Sequence, residues 1–150
     1  KIKLIIIESF RMKNKIFELY KPKSLQDFLA FQKENPQETF TYVLQHPPQN
    51  VNILSASDFG YLVICLPKQD NILYSSAPFI HKMRKNLQDF RPKDYILCLG
   101  DPSIIGLSCA LVSDRTQGQF NLLKWDRQER RYYPLNIDLY QKGELYDSAQ

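Results

Sequence analysis

The chain lacks most of the residue patterns on which common chemistries rest. Its three cysteines, Cys65, Cys98 and Cys109, are odd in number and include no C-x-x-C pair, which argues against a disulfide framework or a cysteine zinc site. Each stands among apolar neighbours (VICLP, ILCLG, LSCAL) and reads as a small buried hydrophobe in a reducing compartment. The two histidines, His46 and His81, have no second His or Cys at ligand spacing, so no metal and no cofactor is expected. The phosphate-binding patterns G-x-x-x-x-G-K-[ST] and G-x-G-x-x-G are both absent. The longest apolar run near the start, LIIIESF, is too short to span a bilayer and no small-residue cleavage site follows it. The chain therefore reads as soluble, unexported and without a membrane partner. It also has no internal repeat, low-complexity stretch or linker.

What is present suits an ordinary globular domain. Of 150 residues, 43% are apolar and 24% charged, and nine Phe, nine Tyr and one Trp supply material for a core. A net charge of +4 permits nucleic-acid binding without requiring it, because both signs are mixed along the chain. The start lacks Met, so residues 1–11 read as an extension, and the polar tail 141–150 reads as frayed.

Periodicity predicts the elements. KLIII (3–7) and KIFELY (15–20) read as strands, and Ser24 with Asp27 as a capping box opening a helix that Asn35-Pro36 stops. TFTYVLQH (39–46) is a strand ended by Pro47-Pro48, and FGYLVICLP (59–67) is apolar enough for a strand covered on both faces. SSAPFIHKMRKNLQDF (75–90) is a helix with Ser or Ala as cap, Pro78 in its first turn, and Phe79, Ile80, Met83, Leu87 and Phe90 as its apolar stripe. YILCLG (95–100) is a strand, followed by a helix that runs to a turn at RTQG. QFNLLKWD and RYYPLNIDLY then flank a polar tip as a hairpin. The fold expected is a single α/β domain: a mixed sheet with a βαβ core, packed helices and a C-terminal β-hairpin.

Three groups of residues compete for function. At the joint Gly100-Asp101-Pro102, Asp101 reads as a helix cap whose carboxylate occupies the place an anion would take. Gly106 within that helix reads as a glycine of close packing on the sheet. A ligand or metal-dependent enzyme site near Asp101 stays open as an alternative, since Asp94, Asp101, Asp114 and Asp126 could meet at strand ends. SDFG (57–60) spells the magnesium triplet of protein kinases without their other motifs and reads as a turn. The basic residues form the third group. Lys82, Arg84 and Lys85 share a helix, while Lys124, Trp125, Arg127, Arg130 and Arg131 surround the hairpin with Tyr132 and Tyr133. Cations beside aromatics fit single-stranded nucleic acid and equally the charged rim of a protein-docking surface.

The Asp-x-Gly before a strand (58–60), the Pro-started basic helix, the Gly-Asp-Pro joint and the Lys-Trp-Asp-Arg hairpin continuing into a strand with Pro134 resemble a group of small proteins encoded by tailed bacteriophages. The resemblance covers residues 55–139. It implies a viral setting and the host cytoplasm, and no catalytic residue. The expected function is a non-enzymatic accessory protein that binds a host or phage protein, with self-association through the C-terminal hairpin as a further possibility. Nonspecific or single-stranded nucleic-acid binding is the alternative.

Overall fold

A computed structural model of the protein describes residues 15–68 and 75–141. The strand expected at 3–7 lies outside the described residues, as do the proposed extension and nearly all of the tail. Six strands form one sheet: β1 (Phe17–Glu18), β2 (Phe40–Gln45), β3 (Tyr61–Leu66), β4 (Tyr95–Leu97), β5 (Gln119–Asp126) and β6 (Arg131–Asp138). Three α-helices join them: α1 (Ser24–Glu34), α2 (Ala77–Asn86) and α3 (Pro102–Thr116). A short 3₁₀ turn, Leu54–Asp58, lies between β2 and β3.

The sheet order is β1-β3-β2-β4-β5-β6, parallel throughout except for the antiparallel β5–β6 hairpin. The β4–α3–β5 unit joins adjacent parallel strands, which is the expected βαβ core. The β3-to-β4 crossover instead skips a strand, because β2 lies between them.

Alternation along the strands sends the two side-chain sets to separate cores. Phe40, Tyr42, Val63 and Ile96 pack with Phe28 of α1, Met83 of α2 and Ile104 and Val112 of α3. Val43, Leu62, Ile64, Leu97 and Leu123 face the other way and are covered by Ile53, Ala56 and Tyr132. All three helices therefore contribute to one core, and the segment between β2 and β3 seals the other face. β3, buried along its full length, is covered on both sides as its composition predicts.

Several local expectations need correction. β1 is two residues long rather than six, because a turn from Glu18 to Lys21, closed by an ion pair between them, bends the chain away after Leu19 bonds Ile64. Ser24 does not cap α1: Lys23 holds the cap position at φ 63°, with no side-chain cap hydrogen bond. The stop at Asn35 is as expected, its side chain donating to the Phe31 carbonyl at 2.9 Å. Ser76 stands at the cap of α2 without a capping bond, and the helix ends at Asn86. Leu87 and Phe90 continue the apolar stripe through tight turns instead, since i+3 spacing serves a tight turn as well as a helix. α3 runs two residues beyond Asp114 to Thr116, where Gln117 and Gly118 adopt positive φ and close it. Gly106 is exposed and an added Cβ would meet nothing within 4 Å, so it is no packing glycine.

The glycine that close packing does require is Gly60. A Cβ there would lie 2.6 Å from the Thr39 carbonyl oxygen, where β2 and β3 begin together. Strand packing thus accounts for Gly60, while Asp58 is the exposed last residue of the 3₁₀ turn.

Candidate functional site

The Gly100-Asp101-Pro102 joint is built as a helix start. Gly100 takes φ 113°, a conformation that favours glycine, and Asp101 Oδ1 accepts from the Ser103 backbone N–H at 2.8 Å. The four aspartates do not converge. Asp101 and Asp126 lie at the carboxyl ends of β4 and β5, Asp94 precedes β4 at the opposite end of the sheet, and Asp114 lies in the last turns of α3. Asp94 is wholly buried and accepts from Phe40 N–H at 3.0 Å and Arg91 N–H at 2.9 Å.

The cysteines are held as thiols. Burial pushes the Cys65 thiol well up and that of Cys109 to about 11. It raises Cys98 as well, against the opposing charge of Lys124. Cys98 and Cys109 are half-buried rather than fully so, which corrects the sequence reading. His81 is exposed on α2, as expected. His46 follows β2, where its backbone N–H bonds the Leu66 carbonyl at 2.8 Å.

The hairpin is more sharply organised. Strand pairing sets Lys124 opposite Tyr133 and Trp125 opposite Tyr132. Neighbouring residues point to opposite faces, so Trp125 and Tyr132 lie on the helix-free side, and Lys124 with Arg131 on the other. The Trp125 and Tyr132 rings meet edge to face at 4.9 Å. Tyr132 is buried and its hydroxyl donates to the Asn52 carbonyl at 2.9 Å, whereas Trp125 remains 44% exposed. Arg127 and Arg130 belong to the exposed tip, whose turn is fixed by Asp126 Oδ1 accepting from Gln128 N–H at 2.9 Å and Glu129 N–H at 3.3 Å.

The outer edge of β6 is blunted. The Leu123 carbonyl accepts from Cys98 N–H, and Leu139 N–H donates to Gly118. Both bonds place the backbone of Pro134, paired with Leu123, toward the open edge rather than toward β5. Proline has no N–H, so the middle of that edge offers no donor to an added strand.

The two basic groups do not meet. Lys82 and Lys85 line a crevice with Leu19 and Tyr20, next to the outer strand β1. Arg84 borders a different groove, with Leu111 and Asp114. The hairpin cations belong to the opposite end of the sheet, with Lys124 on β5 and Arg131 on β6 four and five strand spacings from β1, or roughly 19–24 Å. No local pattern signals this separation, because strand order is not written in periodicity. The crevice beside β1 leaves no mark in the sequence either, because Leu19 and Leu25 meet Leu66 and α2 only through the fold.

Residues 36–139, 104 of the 150, match the family described as Phage Pam3 gp32-like protein. The chain belongs to that family. The match contains β2 through β6 with α2 and α3, and so extends upstream of the resemblance seen over 55–139. It is a protein of bacteriophage type, as that resemblance implies. No curated protein and no solved structure matches the chain. Among the described residues, no helix is long and apolar enough to cross a membrane.

Proposed function

We propose that this phage-family protein is an accessory protein of the host cytoplasm that works by binding a host or phage protein through the helix-free face of its hairpin. The observation that carries the reading is the Trp125–Tyr132 pair. An exposed indole rests against a ring that is itself buried and tied to Asn52. A rigid aromatic anchor loses little freedom on docking and belongs to the residue types that dominate binding energy. Arg127 and Arg130 at the tip add a cationic rim suited to an acidic partner.

Pro134 favours docking by the face over strand addition at the edge, and with it a partner other than a second hairpin. Nucleic-acid binding is less well supported, because Lys124 and Arg131 point away from the indole and the α2 cations lie at the other edge. The test is affinity capture from a host lysate with tagged wild-type protein and Trp125→Ala, each with and without nuclease. A defined protein retained after nuclease and lost from Trp125→Ala is the expected result. Recovery of nuclease-sensitive material alone, or equal capture by both proteins, overturns the reading.

A further inference from the structure

We infer that Arg130 selects the partner of the hairpin by meeting a carboxylate, and that the surface fits an acidic peptide segment bearing an apolar side chain for Trp125. This inference rests on the docking reading above and names the chemistry of its partner.

The tip is charged out of proportion to its length. Residues 124–131 hold four cations, Lys124, Arg127, Arg130 and Arg131, against two carboxylates, Asp126 and Glu129. That excess of two charges is half of the chain's net +4. None of the four cations enters an ion pair among the described residues, although strand pairing sets Arg131 directly opposite Asp126. Asp126 is engaged otherwise, its Oδ1 accepting from the Gln128 and Glu129 N–H groups. The turn is thereby fixed while its cations stay open to a partner.

Arg130 stands out among them. It takes φ 50°, in the left-handed region where glycine is at ease and a side chain with a Cβ is strained. Lys23 and Gln117 share that conformation at helix ends, whereas Arg130 carries it two residues from Tyr132, the support of the exposed indole. A cation needed only for solubility fits anywhere on the tip, so solubility does not explain an arginine at its strained position, and strain of this kind gathers at binding sites. Arginine also forks onto a carboxylate with two parallel hydrogen bonds, which adds direction to charge. Two strand residues span about 7 Å, so one short segment reaches both Arg130 and the indole. Asp126 and Glu129 interrupt the cations and repel a continuous phosphate backbone, whereas separate carboxylates can be spaced to avoid them.

The test titrates the full chain and reads the fluorescence of Trp125, its single tryptophan. The probes are end-blocked peptides DELDEFD and KRLKRFK, alike in length and apolar residues and opposite in charge, and an oligothymidylate of similar length. Expected is saturable binding of the acidic peptide that weakens with salt. Arg130→Gly should weaken it by about fivefold while raising the thermal midpoint, and Arg130→Lys should fall between. A merely structural role cannot make a more stable fold bind less well. Absence of saturable binding, equal affinity for the basic peptide, tighter binding of the oligothymidylate, undiminished affinity in Arg130→Gly, or a lowered midpoint in that variant overturns the inference. If a host protein captured from lysate still requires Trp125 while the acidic peptide fails, the docking reading stands and the chemistry assigned to its partner falls.

Discussion

Asp94 grips Arg91 three times, accepting from its backbone N–H at 2.9 Å and from its guanidinium Nε and Nη2, each at 3.3 Å. The same guanidinium donates onward to the carbonyls of Pro36 and Glu38, at 3.0 and 2.7 Å. The turn after α2 is thereby fastened to the turn after α1, and β2 and β4 begin in register. Asp94→Ala should destabilise the fold by about 3–5 kcal/mol, since it leaves Arg91 and the Phe40 N–H without their buried partner. Urea unfolding checks this, and a loss below about 1 kcal/mol would show that the clamp is ornamental.

A pH dependence follows from the same carboxylate. Burial, the strongest influence, raises its pKa above the usual value, against the hydrogen bonds and charge of Arg91 and the bond from Phe40. The folded value thus exceeds the unfolded one. The increment of stability from protonating Asp94 in the fold is complete below the unfolded pKa and is lost as pH rises through the folded pKa, while the bonds it accepts remain. Asp94→Asn cannot titrate, so wild-type stability measured relative to that variant should fall across this window. A difference in urea midpoints that is flat or rises with pH would contradict the assignment.

Two glycines should respond in opposite ways to alanine. Gly106→Ala adds a methyl group to an exposed helical position with nothing within 4 Å, and should stabilise by up to about 1 kcal/mol. Gly60→Ala forces a Cβ to 2.6 Å from the Thr39 oxygen and should destabilise by about 1–3 kcal/mol or more. Thermal unfolding of the pair decides the matter, and equal shifts would refute the contrast.

Pro134 keeps the β6 edge from pairing with a neighbour. Pro134→Thr restores a donor in the middle of that edge and should promote concentration-dependent self-association, read by sedimentation velocity. Identical sedimentation of variant and wild type over a hundredfold range, about 1–100 μM, would remove the protective role.

Trp125 is the single tryptophan of the chain, so its fluorescence reports the hairpin alone. Tyr132→Phe deletes the bond to Asn52 and should lower stability by about 0.5–1.5 kcal/mol. It should also lower the fluorescence anisotropy of Trp125, because the ring that supports the indole is then less firmly held. Unchanged anisotropy would mean that the indole does not depend on this tether.

Legibility in the sequence followed the range of the interactions involved. The Asp101 cap, the Asn35 stop and the β5–β6 hairpin rest on contacts within a short stretch of chain, and the continuous apolar run of β3 marks its burial by composition alone. Strand order and the separation of Lys82 and Lys85 from the hairpin cations depend on crossovers, which leave no local mark. Asp94 reads in sequence as one more strand-end acid because its partner Phe40 is 54 positions away. Gly106 misled in the opposite sense, since a helical glycine usually has a packing reason and here faces solvent.

The strand register also bears on how quickly the protein folds. Only β5 and β6 are joined by a short turn. Thr41 pairs with Tyr95 54 positions away, and Phe17 with Val63 46 positions away. Long loops must close, at an entropic cost, before the parallel pairings repay it. Until β1 and β2 both pair with it, the apolar strand β3 has open sides at which an unfinished chain is prone to stick to another.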